Sequence, residues 1–272
     1  KTSSGWVKDC LLTLCLGTCC CGCLSQKQFS SDLLFYESFN TEDSLINPEV
    51  GVSGVVGDFE LVEGVKGNAL ATKGGKCSVS YAFPANFIPP KGCIEFWAKL
   101  DADKPCFGCA DPRLFWIRFA NGEESHIEFT ANNGMANGGL YGRMVHFERV
   151  SHRGFSGSEP YANVLGAGKT QDWHHYAITW NKDGVTDYLT QDGKKTLAVL
   201  FVDGKPHKDV SYTPHHTDAQ AIPAFFDTVA KTSVLGFSLV PERAAKDDRG
   251  TPYRIDEFKI WKVDKIRFNL DR

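Results

Sequence analysis

From Leu33 onward, apolar residues recur with a period of two rather than the ~3.6 of a helix. In Cys93 to Leu100, Ile94, Phe96, Ala98 and Leu100 alternate with Glu95, Trp97 and Lys99. That pattern predicts an antiparallel strand with one buried face and one polar face, the latter carrying an aromatic ring among charges. The same alternation, rich in β-branched and aromatic residues, predicts strands at Leu33–Phe39, Cys77–Phe83, Leu114–Phe119, Ser125–Ala131, Leu140–Phe147, His174–Trp180, Leu197–Val202, Val234–Val240 and Tyr253–Trp261. Between them lie Asn121-Gly122, Asn133-Gly134, Asp183-Gly184, Asp192-Gly193 and Asp203-Gly204, dipeptides that supply the positive φ of tight hairpin turns. No stretch predicts a long helix, no Gly/Pro/Ser-rich linker divides the chain and no repeat period appears. The expectation is an all-β fold: one domain over residues 26–272, with on the order of ten or more strands in two packed antiparallel sheets.

Composition narrows the class. In 272 residues, 42% hydrophobic and 12% aromatic content excludes disorder and coiled coil, and a net charge of −3 with scattered basic residues argues against a nucleic-acid partner. Six of the ten cysteines (Cys10, Cys15, Cys19, Cys20, Cys21 and Cys23) crowd the first 25 residues. There Lys1 and Lys8 precede an uncharged run from Cys10 to Leu24, with small residues near Gly22 and Ser25. This order of basic, apolar and small residues predicts a secretory signal over residues 1–25. The run falls short of the ~20 apolar residues of a membrane span, so the mature form is expected to have none. A lipoprotein signal and a cysteine-rich metal or palmitoylation segment are the alternatives. The resulting expectation is a secreted or cell-surface protein. Cys77, Cys93, Cys106 and Cys109 remain, enough for two disulfides in three connectivities, of which Cys77–Cys93 with Cys106–Cys109 is the simplest. Free thiols, a redox pair or half a zinc site stand beside that reading.

Candidate chemistry falls on two sets of residues. Sugar rings lie against flat aromatic surfaces flanked by polar partners, and Trp97 and Trp116 are out of step with the apolar residues of their strands, while Tyr141 and Arg143 share one face of a later strand. These four are the candidate ligand-binding residues. Second-sheet packing is the alternative for each aromatic. The cluster Arg143, His146, Arg149, His152 and Arg153 would suit an acidic glycan or a solvated surface. In Glu124-Ser125-His126-Ile127-Glu128, alternation sets Glu124, His126 and Glu128 on one face, away from Ile127 and Phe129. No Gly-x-Ser-x-Gly and no Ser/His/Asp device is present.

Four segments carry a family resemblance: Gly92-Cys93-Ile94-Glu95-Phe96-Trp97, Trp173-His174-His175-Tyr176-Ala177-Ile178-Thr179-Trp180, Leu200-Phe201-Val202-Asp203-Gly204-Lys205 and Arg254-Ile255-Asp256-Glu257-Phe258-Lys259-Ile260-Trp261. In this order they resemble a laminin-G-like, concanavalin A-like jelly-roll domain over roughly residues 33 to 262. The resemblance implies a non-catalytic carbohydrate-binding lectin or adhesion module, with a polysaccharide, a glycoconjugate or a cell-surface or matrix protein as partner. It also implies a structural calcium held by Asp256 of the last strand and by backbone carbonyls of Glu37 and Gly67. A bulge at Asp256 and Glu257, paired with Arg254 or Lys259, is the alternative there. The 124–128 stretch resembles the Glu-x-Asp-x-Glu strand of the laminarinase and lichenase family, with His126 in place of the Asp. That implies a retaining endo-glucanase, with Glu124 and Glu128 as nucleophile and acid/base, as the alternative function. A structural or protein-binding extracellular domain is the third reading.

Overall fold

The computed structural model describes residues 29–57, 59–71, 79–82, 90–100, 113–119, 126–131, 143–151, 154–162, 172–190, 193–196, 198–206, 211–214, 234–239 and 253–272. Of 100, 113–119, 126–131, 143–151, 154–162, 211–214, 234–238 and 253 it describes backbone and strand pairing alone. The 1–25 signal segment, Cys77, Cys106, Cys109, Glu124, Tyr141, His152 and Arg153 lie outside the described residues.

In chain order the elements are β1 (Leu33–Glu37), α1 (Glu42–Ile46), β2 (Gly54–Val56), β3 (Glu60–Glu63), β4 (Asn68–Ala71), β5 (Val79–Tyr81), β6 (Lys91–Leu100), β7 (Arg113–Phe119), β8 (His126–Ala131), β9 (Arg143–Ser151), β10 (Gly154–Ala162), β11 (His174–Asn181), β12 (Ala198–Val202), β13 (Lys205–Pro206), β14 (Ser211–Pro214), β15 (Val234–Leu239) and β16 (Tyr253–Trp261). They form two antiparallel sheets. The first runs β13-β12-β11-β6-β16-β4-β3 with β1 also on β16, and the second runs β14-β10-β9-β8-β7-β15-β5-β2. The predicted all-β sandwich is what forms, and the alternating segments named above all supply strands. β2, β3, β4, β10, β13 and β14 were not anticipated: they are short, or, like Gly-Phe-Ser-Gly-Ser-Glu-Pro-Tyr-Ala in β10, lack alternating apolar residues.

The two sheets meet through aromatic rings. On β1, Phe35 packs edge-on against Tyr81 of β5 at 4.8 Å between centroids, across the sandwich. Beside it Phe258 lies 6.2 Å away, and Phe96 stacks on Phe258 at 5.9 Å and on Tyr176 at 5.7 Å. All five rings are buried, and side chains of this size contribute roughly 1.5–3 kcal/mol each on burial. Helix α1 closes one end. Thr41 Oγ1 accepts from the Ser44 amide (3.0 Å) and Ser44 Oγ accepts from the Thr41 amide (3.3 Å), a reciprocal cap, while the Tyr81 hydroxyl donates to the Leu45 carbonyl.

The two-faced expectation for β6 needs correction. Glu95 and Trp97 are both only 5% exposed, because β6 sits in the middle of its sheet and a second layer covers its outer side. Trp261, Ile266 and Phe268 of the C-terminal segment, with Val185 and Tyr188 of the loop after β11, pack on Cys93, Ala177, Val199 and Phe201. Cys93 is buried there as a free thiol, one of the alternatives open to it, and burial pushes that thiol well above its ordinary pKa.

Candidate functional site

Two regions compete on the first sheet, and both are filled. Beneath the C-terminal strap, Glu95 Oε1 accepts from Trp261 Nε1 and from Lys265 Nζ, each at 2.8 Å, and Glu95 Oε2 lies 3.5 Å from His175 Nε2. Burial alone would raise the Glu95 carboxyl, but the His175 hydrogen bond and the Lys265 ammonium outweigh it and hold it down at about 2. The Lys265 ammonium also sits 3.8 Å from the Trp261 ring centroid. Trp97, expected as a sugar platform, meets His175 edge-on at 5.4 Å and carries the Arg272 guanidinium 5.1 Å from its ring centroid. Its face is therefore occupied by the protein itself. Beside it His174 Nδ1 lies 2.7 Å from Asp203 Oδ2, and Asp203 Oδ1 accepts from the His175 amide, tying β11 to the turn after β12.

The second region surrounds β16. Asp256 is fully buried, and its Oδ2 accepts from the amides of Val65 (2.7 Å) and Lys66 (3.0 Å) while Oδ1 accepts from the Glu257 amide (2.8 Å). Burial nonetheless pushes its carboxyl up to about 7 against those three donors. The bulge alternative is present: pairing shifts register between Asp256 and Lys259, Glu257 takes φ +53°, and Glu257 Oε2 accepts from Lys259 Nζ at 3.0 Å. Gly67 turns at φ +75° with its carbonyl accepting from Gly64, a conformation that strains any other residue, and a Cβ there would displace the Asn40 side chain. Glu37 is fully buried, with Oε1 accepting from the Phe39 amide and Ser44 Oγ and Oε2 left without a partner, and burial raises its carboxyl to about 8. For calcium, the oxygens of Asp256 and the two carbonyls are the right donor type. The two amides on Oδ2 leave only Oδ1 to face a cation. Among residues whose side chains are described, no three His, Cys, Asp or Glu converge as a metal would require.

The second sheet offers a different arrangement. Val79, Tyr81 and Leu239 define its inner face, all buried, while Ser80 and Val55 on the opposite face are exposed, Val55 at 76%. From Val55 the outer row continues by register through Ser80 and Ser238 to Trp116, then Glu128, then His146. One pleat along, Gly236, Arg118, His126 and Glu148 form the next row of the same face. Alternation sets His126 and Glu128 on one face, and inter-strand register adds Trp116, Arg118, His146 and Glu148 to it. Arg143 stands opposite Ala131 and Ala162, on the face of Phe129 and Phe147 rather than that of Trp116, so the basic cluster expected around it is split between faces. Glu148 was missed because a lone Glu in a strand carries no signal. The repeat of His-x-Glu at 126–128 and 146–148 is the pattern that would have found it.

No protein-family model matches this chain, and no curated relative matches it in sequence. Its fold is similar to solved receptor-binding domains of botulinum neurotoxins. The serotype D ligand-binding domain in complex with N-acetylneuraminic acid aligns at TM-score 0.56 and 13% identity over 86% of this chain and 48% of that one. The serotype G binding domain aligns at TM-score 0.52 and 7% identity, again over 86% and 48%. This chain spans about half the length of those structures, and at such identity the likeness is one of fold. Among the described residues no helix is long and apolar enough to cross a membrane.

Proposed function

We propose that this chain is an extracellular, non-catalytic carbohydrate-binding or adhesion module that takes a polysaccharide or glycoconjugate on the outer face of its second sheet. The observation that carries the reading is the register row Trp116, Glu128, His146, three residues at consecutive cross-strand positions on the face shared with exposed Val55 and Ser80. An indole offers a surface for a sugar ring, and the two polar groups offer partners for its hydroxyls. A domain of similar fold has been solved with N-acetylneuraminic acid, which is in keeping with a carbohydrate ligand. The laminin-G type, a secretory signal over residues 1–25, and a calcium bridging Asp256 Oδ1 with the carbonyls of Glu37 and Gly67 belong to the same proposal.

The test is a glycan array on the full chain, with and without calcium, using wild type, Trp116→Ala and Trp97→Ala. Selective binding by wild type, weakened about tenfold or more in Trp116→Ala (on the order of 1.4 kcal/mol) and kept in folded Trp97→Ala, is expected. Binding that survives Trp116→Ala would move the site elsewhere. Silence against every glycan would favour a structural or protein-binding domain, and release of reducing sugar would favour the glucanase.

A further inference from the structure

The outer face of the second sheet brings two His-x-Glu segments together head to tail. His126-Ile127-Glu128 lies on β8 and His146-Phe147-Glu148 on the neighbouring β9, and the antiparallel register pairs His126 with Glu148 and Glu128 with His146. Each histidine stands directly across from a glutamate, and the two pairs are consecutive rows of one face. Directly paired positions in antiparallel strands have Cβ atoms ~4.5–5.5 Å apart, and residues two apart along a strand are separated by ~7 Å. The four residues therefore stand at the corners of a quadrilateral of about 5 by 7 Å, close enough for one ion, with donor atoms ~2 Å away, to be shared among them.

We propose that His126, Glu128, His146 and Glu148 form a binding site for a divalent transition-metal ion of the zinc type. The donor chemistry selects the ion: two neutral imidazole nitrogens with carboxylate oxygens suit Zn²⁺ and its neighbours in the first transition row, whereas Ca²⁺ and Mg²⁺ call for oxygen alone. An ordinary cross-strand charge ladder uses Lys or Arg against Glu. Histidine across from both glutamates instead supplies ring nitrogens that can ligate a metal, which the ammonium of Lys and the guanidinium of Arg, without an acceptor lone pair, cannot. The site is separate from the Asp256 region, which lies on the first sheet. It requires no glycan, so it can fail or hold independently of the carbohydrate reading.

The measurement uses the full chain, with its thiols first blocked by iodoacetamide so that the six cysteines of the first 25 residues take no metal. Zinc is titrated calorimetrically and cobalt(II) by visible absorption. Expected are one equivalent of either ion per chain, a d–d spectrum without a thiolate charge-transfer band, and at least tenfold weaker binding in both His126→Ala and His146→Ala. Should either variant lose its cooperative melt, Glu128→Gln and Glu148→Gln provide the same comparison with side chains of unchanged size. Wild type that takes no stoichiometric metal overturns the proposal, as does binding that persists unchanged in folded variants at both histidines.

Discussion

Glu37 carries its carboxylate into the end of the core under α1, where one oxygen has two donors and the other has none. Its pKa is raised from the usual carboxylate range to about 8, so the folded state holds the proton more tightly than the unfolded chain. The stability this group contributes is full below its unfolded pKa of ~4.5 and is lost as pH rises through the folded value. Glu37→Gln fixes the neutral shape: its melting temperature should match wild type near about pH 5 and exceed it by several degrees near about pH 9. Parallel thermal melts across that range check it, and a wild-type advantage at the alkaline end would contradict it. Glu95 has the opposite sign. Its pKa is depressed to about 2, so its contribution is present above the unfolded value and disappears as acid protonates it. Glu95→Gln strips the charge that Lys265 and Trp261 address, and a loss of roughly 2 kcal/mol at neutral pH is expected, moderated by the partial exposure of Lys265.

At the scale of elements, two devices hold the first sheet. The Asp256 carboxylate staples the Gly64–Gly67 turn to β16 through two amides, and Asp256→Ala should cost roughly 2–3 kcal/mol and speed exchange of the Val65 and Lys66 amides more than tenfold. If calcium shares Oδ1, the same variant also loses any rise in melting temperature that the ion gives wild type, since an ion bound only to the folded state adds RT ln(1 + [L]/Kd). A wild-type melt indifferent to both calcium and chelator would remove the ion from the account and leave the staple. The second device is the strap at 262–272. Phe268 packs on Phe201 at 5.1 Å and on His175 at 5.3 Å, and Phe268→Ala should lower stability by roughly 2 kcal/mol, or about 4–8 °C of melting temperature. An unchanged melt would mean that the strap covers the sheet without holding it.

For the molecule as a whole, the question is whether the outer face of the second sheet binds or cleaves. Of the two glutamates in the glucanase-like motif, Glu128 lies on that face and Glu124 lies outside the described residues, and His126 stands where the motif has Asp. A retaining mechanism needs two carboxyl groups ~5–5.5 Å apart with one kept protonated, and an imidazole beside them favours paired, ionised carboxylates instead. Wild-type protein is therefore expected to release no reducing sugar from mixed-linkage or β-1,3-glucan. Cleavage that falls by ~10²-fold or more in Glu128→Gln while binding survives would establish catalysis.

Alternation with a period of two was enough to foresee the all-β class, the principal strands and the shared face of His126 and Glu128, because side-chain direction in a strand is set locally by the pleat. It misplaced Trp97 and Glu95 for an equally physical reason. Alternation tells which residues share a face, yet whether that face meets water depends on what folds over it, and here the end of β16 and the strap after it, 166 to 170 residues away in sequence, supply the cover, as the Glu95 to Trp261 and Lys265 bonds record. Cysteine count left Cys93 open between a disulfide and a free thiol, and packing beneath that strap buries it as a thiol. The partnership of His126 with Glu148 and of Glu128 with His146 was likewise invisible along the chain. Which residue of β9 stands across from which residue of β8 is fixed by inter-strand register, and register is decided only when the sheet assembles.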